Sequence, residues 1–316
     1  MQHRIGHQAP RKSIFKTTDV DQQAHNLTQW QQIYDQTSDG EFYGCIEGVT
    51  YPHSHVFKEF TQRALRQQCN IAPDSVWIGI PENSTESKIN GLHVEKHQIM
   101  CRTSEYDFEL ITPEYFTVFG IVINRQVLQD IADIQGVNLM NLLSQNQARL
   151  AINPSILAQS KQALSQLLVS SDLGLQSQLQ QDVINTIAIS LLGKQEAVPT
   201  AAPSYKHRLM VVDKVKQFIE ANPHQAITIS QLCEYTHVSR RTLQYSFESI
   251  LGINPLRFLR LTRFNNVRRE LKQPAQDKTI SVIAANWGFW HPGQFTKDYT
   301  QLFGENPSQT LKRHQK

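Results

Sequence analysis

The last third of the chain carries one unit twice. Ile229-Ser-Gln-Leu232, Val238-Ser-Arg-Arg-Thr-Leu243, Phe247, Leu251-Gly252 and Pro255 return as Ile280-Ser-Val-Ile283, Phe289, Phe295, Tyr299, Phe303-Gly304 and Pro307. The offset is 51 residues before the middle of the unit and 52 after it, so the second copy has one extra residue in its turn. Each copy predicts a helix, a tight turn and a second helix that stops at a glycine. Two such units in tandem predict a pair of helix-turn-helix elements, whose second helices enter the major groove of DNA.

Charge agrees with that placement. From Ser204 to Lys316 there are 17 Lys and Arg against 8 Asp and Glu, a balance of +9. The preceding 203 residues hold 14 against 20, a balance of −6. A basic back on a mildly acidic front predicts that the back alone meets a polyanion. A hydrophobic share of 40% suits ordinary cores. No apolar run approaches the roughly 18–20 residues of a membrane span, and no apolar stretch follows the N-terminus as a secretory signal would require. The scattered Cys45, Cys69, Cys101 and Cys233 fit thiols in a reducing cytoplasm.

The two copies are not equivalent. In the first, Ser239 stands where an N-cap is wanted, and Leu243 and Phe247 face a core. That leaves Arg240, Arg241, Gln244 and Tyr245 outward, and Arg and Gln are the side chains that pair bidentately with guanine and adenine edges. In the second, Phe295, Tyr299 and Phe303 form the core stripe. His291, Gly293, Gln294, Thr296 and Lys297 then lie on or near the exposed side. Leu261, Phe264, Val267 and Leu271 predict a connecting helix, which sets the two recognition helices about one DNA turn apart, ~34 Å.

The front of the chain reads differently. From about residue 15 to 125, short β-branched and aromatic runs alternate with turn signals, which predicts a small barrel or sandwich. Examples are Glu41–Ile46, Ser75–Ile80, Phe108–Ile111 and Phe116–Ile123. After Arg125 the period becomes helical. Ile156, Leu157, Leu164, Leu167 and Leu168 form one stripe, and Leu179, Val183, Ile187 and Leu191 another. Residues 194–205, rich in Ala and Pro, are the expected linker. The reading is therefore α+β: a β-rich domain with a helical pair over 1–193, and an all-α domain over 206–316.

The segment Ser239-Arg-Arg-x-Leu243, Gly252-Ile-Asn-Pro255, Arg260-Leu-Thr-Arg263, Gly288-Phe289 and Phe303-Gly-Glu-Asn-Pro307 resembles the AraC/XylS family of bacterial transcription regulators. By that resemblance Arg241, Gln244 and Tyr245 are base-reading positions of the first copy, and Gly293, Thr296 and Lys297 of the second. Gly293 departs from the long polar side chains common there, which turns the second copy toward phosphate grip and register. Trp30-Gln-Gln-Ile-Tyr-Asp-Gln36, Leu65–Cys69, Trp77–Pro81, Asn266–Leu271 and Trp287–Phe295 are similar to regulators of ethanolamine-utilisation operons. The resemblance implies a cytoplasmic, homodimeric activator. It would bind promoter DNA, work with RNA polymerase, and respond to ethanolamine together with adenosylcobalamin as co-effector.

It also implies a cupin-like front domain that senses a small molecule. A pocket for the ethanolamine cation needs a carboxylate and an aromatic face, which makes Glu59, Trp77 and Glu109 the candidates. Two other readings compete. His53-Ser-His55 with Glu59 has the spacing of a cupin metal motif and would suit an oxygenase-like enzyme. Yet Arg66 stands where that motif has glycine, no clear downstream histidine motif follows, and Pro52 predicts a turn, so a surface His pair is preferred. In the third reading the front domain only dimerises, through the 156–191 stripes. An AraC/XylS regulator of another small-molecule pathway remains the alternative within the family.

Overall fold

The computed structural model describes residues 10–27, 29–82, 86–144, 146–169, 177–193, 195–196, 202–223, 225, 227–273 and 278–314. Half of the expected linker, residues 194 and 197–201, lies outside them. The chain divides into two compact units. One comprises residues 1–34, 43–62 and 67–198; the other comprises 35–42, 63–66 and 199–316.

In chain order the first half contributes β1 (Arg11–Thr17), α1 (Val20–His25), β2 (Gln31–Gln36), β3 (Gly44–Thr50), β4 (Ser54–Thr61), β5 (Leu65–Asn70) and β6 (Ser75–Pro81). It continues through β7 (Lys88–Ile89), β8 (Leu92–His93), β9 (Gln98–Thr103), β10 (Phe108–Thr112) and β11 (Phe116–Asn124). Then come α2 (Arg125–Ile134), α3 (Leu139–Ser144), β12 (Arg149–Ile152), α4 (Pro154–Val169), α5 (Ser177–Gly193) and β13 (Gln195–Glu196). An eight-stranded sheet runs β1-β3-β4-β11-β6-β9-β12-β13 and a five-stranded sheet runs β2-β5-β10-β7-β8.

Period-2 alternation sorts the large sheet into two faces. Val49, Val56, Val76, Ile78, Ile80, Phe119, Ile121 and Ile123 project to one side and share a core with Leu128, Leu164, Leu168, Ile184, Ala188 and Leu191 of the helices. The opposite face carries His55, Phe57 and Glu59 from β4 and Trp77 from β6. Its rings lie flat because the facing positions have no side chain. Phe57 pairs with Gly120, and Gly120 with Gly79, across β4, β11 and β6. A Cβ on Gly120 would sit 2.1 Å from the Phe57 ring, and one on Gly79 would sit 2.3 Å from the Trp77 indole. Such approaches exclude any larger residue.

Two expectations need correction. In α5 the buried apolar residues are Ile184, Ile187, Ala188, Ile189, Leu191 and Leu192, while Leu179 is 65% exposed and Val183 41%. The helix is buried on a face rotated from the expected stripe, because Ile184 and Ala188 join the core where α5 packs on α2, α3 and α4. The 156–191 stripes are therefore largely spent inside this unit. His55 is not on a surface turn: it lies within β4, half-buried, with its ring 5.3 Å from Phe57. His53 alone is exposed.

The second unit is helical: α6 (Pro203–Ala221), α7 (Ile229–Thr236), α8 (Arg240–Leu251), α9 (Pro255–Lys272), α10 (Ile280–Asn286), α11 (Pro292–Phe303) and α12 (Pro307–His314). Its caps repeat as the sequence does. Thr228 and Thr279 cap α7 and α10, and Gly252 and Gly304 end α8 and α11 in the left-handed region. Phe264, Phe295, Tyr299 and Phe303 fill the core of the second copy. Arg268 and Glu305 form a buried ion pair at 3.0 Å beside it. Asn265, also buried, donates to the Gln36 carbonyl and accepts from the Gln36 amide, both at 3.0 Å. Within the same unit Asp35 pairs with Arg66 at 3.3 Å and Arg269 at 2.7 Å.

Candidate functional sites

The DNA-facing candidates sit as helix-turn-helix chemistry requires. Ser239 accepts from the Thr242 amide and so starts α8, as an N-cap does. Leu243 and Phe247 are fully buried, which fixes the opposite face outward. Arg240, Arg241 and Gln244 are exposed on it. Gln244 donates to Glu248 at 2.9 Å, and Tyr245, 59% exposed, carries the Arg208 guanidinium over its ring at 5.3 Å. Arg208, on α6, was not among the residues expected here; a basic residue before the repeat gives no spacing signal of its own.

In the second copy His291, Gly293, Gln294, Thr296 and Lys297 are all exposed on the first turns of α11. Several are already engaged. Gln294 donates to both oxygens of Asp298 at 2.9 and 3.0 Å, and Asp298 also pairs with Arg260. The Thr296 hydroxyl donates to the Pro292 carbonyl at 2.9 Å. A Cβ on Gly293 would meet nothing within 4 Å, so open space lies above it. The two copies thus differ in chemistry as well as in turn length.

In the β-rich unit, Glu59 is buried and faces inward. The Gln23 amide donates to it at 2.9 Å, and the Tyr34 hydroxyl lies 3.3 and 3.4 Å from its oxygens. Among the described residues no cationic side chain forms a hydrogen bond or ion pair with this carboxylate. Burial pushes its carboxyl up to about 7, and the Gln23 and Tyr34 donors pull it back. Burial, with help from Glu59, also raises the Tyr34 phenol and the Cys69 thiol well above their ordinary values. Burial alone lowers His55 to about 4.

An aromatic cluster lies on the same face as Glu59. Trp77 stacks on Phe108 at 5.0 Å and 15°, and Trp30 stands edge-on to Phe57, Trp77 and Phe108 at 5.9–6.5 Å. Two buried polar atoms here have no hydrogen-bond partner: Gln23 Oε1 and Trp77 Nε1. Buried orphans of this kind are uncommon and mark a place for a missing partner. Of the three expected effector residues, Glu59 and Trp77 lie on this one face of the sheet. Glu109, on β10, is buried and acts on the Cys69 thiol electrostatically. Gln23, Trp30, Tyr34 and Phe108 were missed, since none stands at a spacing that marks a site.

Among the described residues no group of three or more His, Cys, Asp or Glu could hold a metal ion. None of the described helices is long and apolar enough to cross a membrane.

A family model described as a helix-turn-helix domain matches residues 232–313. A probable thc operon regulatory protein of Rhodococcus erythropolis is 36% identical over 104 residues, which are 32% of this chain and 31% of that protein. A XylDLEGF operon transcriptional activator of Pseudomonas putida is 37% identical over 103 residues, 32% of this chain and 66% of that protein. The solved structure of a probable AraC family transcriptional regulator from Rhodopseudomonas palustris is 34% identical over 99% of that chain and 34% of this one, with a TM-score of 0.32. Over its helical unit the chain carries a helix-turn-helix domain and is similar to these transcriptional regulators. The match falls on the helical unit and spans about a third of the length of the first curated relatives. The α+β division, with strands in front and the tandem helix-turn-helix behind, is that expected from the sequence.

Arg241 is an exposed guanidinium in the first turn of α8, the second helix of the first copy. Arg241→Ala is expected to weaken binding to a selected duplex by about 1–3 kcal/mol, with a smaller loss on random DNA. Equal losses on both, in titrations at one salt concentration, would make Arg241 a phosphate contact.

Proposed function

We propose that this protein is a transcriptional activator whose β-rich unit recognises a small organic ammonium ion, ethanolamine in particular. One observation supports the ligand class above all: a buried carboxylate, Glu59, with only neutral donors on it, beside a cluster of aromatic rings. A primary ammonium satisfies such a carboxylate by charge-assisted hydrogen bonds and is attracted to aromatic faces. The orphaned atoms suit the rest of the molecule. Gln23 Oε1 accepts an N–H or O–H, and Trp77 Nε1 donates to a hydroxyl oxygen. Gln23 Nε2 now holds the position opposite Glu59 that an ammonium group would take.

This scale of site fits a two-carbon amine and not a corrinoid. On the sheet face that carries Glu59, Trp30 stands within 5.9–6.5 Å of Phe57, Trp77 and Phe108, and Trp77 stacks on Phe108 at 5.0 Å. No role is therefore derived for adenosylcobalamin in this unit. The chain acts as a cytoplasmic regulator rather than an enzyme, with promoter DNA and RNA polymerase as partners, and as a homodimer. Exposed Leu179 and Val183 on α5 offer an apolar strip for the dimer.

Promoter binding and transcription should be measured with ethanolamine, adenosylcobalamin, both and neither. Ethanolamine alone is expected to raise occupancy and transcription in full. A response only with both ligands would overturn the corrinoid-free reading, and no response to either would remove ethanolamine as the effector.

A further inference from the structure

Trp290 occupies a position that normally points inward. It is the residue before the His291 N-cap of α11, where an apolar side chain commonly folds onto the fourth helical residue and fixes the chain's entry angle. Here that fourth residue is Phe295, which is buried and packs on Phe264, Phe289 and Tyr299. Trp290 takes no part and is 70% exposed, with no aromatic or cationic partner among the described residues.

The indole is nonetheless firmly placed. Gly288 turns the chain in the left-handed region, and Phe289 folds inward to stack on Phe264 at 4.3 Å. The Phe289 amide donates to Ala284 at 2.9 Å, and the Phe295 amide to His291 at 2.9 Å. Trp290 is thus held between two anchored points and turned to solvent at the N-terminal end of the second recognition helix. That is where a helix-turn-helix contacts base edges. Around it the polar candidates are consumed: Gln294 on Asp298, Thr296 on Pro292, and Gly293 with no side chain at all. Lys297 supplies the positive charge one turn on.

We propose that the second copy reads DNA through Trp290, by apolar contact of the indole with a thymine methyl in the major groove. Thymine is the base that presents a methyl group there, so an apolar side chain gains sequence information from it alone. The open space over Gly293 leaves room for the base edge beside the indole. This inference rests on the DNA-binding reading of the helical unit.

The test begins with duplexes selected by the full chain from a random library. Thymines of the half-site assigned to α11 by footprinting are then replaced singly by uracil, which lacks only the methyl. Wild-type protein is expected to lose about fourfold in affinity at one such position, the worth of one buried methyl group. Trp290→Ala should bind the unmodified duplex about tenfold more weakly, keep the wild-type melting temperature, and lose its sensitivity to that uracil. Trp290→Phe should keep part of both. Uracil sensitivity that persists in Trp290→Ala, or no sensitive thymine in wild type, overturns the proposal. Failure to select any duplex would instead overturn the DNA-binding reading beneath it.

Discussion

Replacing Arg268 by alanine is expected to destabilise the helical unit by about 3–5 kcal/mol, because it strands a buried carboxylate. Arg268 is 4% exposed and Glu305 8%. The guanidinium reaches Glu305 Oε1 at 3.0 Å and lies over the Phe303 ring at 5.1 Å. Removing it costs packing on Phe303 as well as the ion pair. Arg313, on α12, also reaches Glu305 at 2.9 Å but is half-exposed. Its attraction is screened by water, so it cannot replace Arg268, and Arg313→Ala should cost only about 0–1 kcal/mol. Denaturant unfolding of the full chain would measure both. Because Phe303 closes α11, Arg268→Ala should also lose affinity at the second half-site. Equal, small effects of the two substitutions would show that Glu305 is better hydrated than its burial implies.

The second large effect is Glu59→Gln. In the ligand-free protein the carboxyl is raised from 4.5 to about 7 by burial. A raised carboxyl contributes stability that is fully present below about pH 4.5 and is lost as pH rises through about 7. Each pH unit of separation is worth about 1.4 kcal/mol, so Glu59→Gln should stabilise the ligand-free chain by about 3–4 kcal/mol above pH 8. The gain should vanish below pH 5. His55 works in the opposite sense. Its value falls from 6.5 to about 4, so its contribution is present above 6.5 and is lost as pH drops through about 4. The same Glu59→Gln protein should show no thermal shift with ethanolamine, while Glu109→Gln keeps one. Unfolding curves at pH 5 and 8.5, with and without the amine, separate these expectations. A Glu59→Gln variant that is less stable at pH 8.5 would mean that the carboxylate is held by more than Gln23 and Tyr34.

The helical unit was legible nearly to the residue. Ser239 acts as the expected N-cap, and Gly252 and Gly304 as stops, because cap chemistry is local and depends on a few neighbouring groups. The second copy's turn is longer, as the 51-to-52 offset requires, running from Asn286 to Pro292 where the first runs from Thr236 to Arg240. The β-rich unit was legible in its strands but not in its site. Glu59 and Trp77 were found by chemical type, whereas Gln23 and Tyr34 come from α1 and β2, 36 and 25 residues away from Glu59. Only tertiary packing brings them together, since α1 is a helix and β2 and β4 lie in different sheets, and such packing leaves no periodic trace in one sequence. The α5 stripe was misplaced for a related reason. Leu179, Val183, Ile187 and Leu191 satisfy helical spacing, but Ile184 and Ala188 satisfy it too, and the neighbouring helices decide which face is covered.

The most direct test of the account is selection of duplexes from a random library by the full chain, with and without ethanolamine. The account predicts enriched sites with two blocks about 10–10.5 base pairs apart, one helical turn. The block read by α8 should be the better defined of the two, and enrichment should be stronger when the amine is present. A single block, or selection unchanged by ethanolamine at every concentration tried, would contradict it.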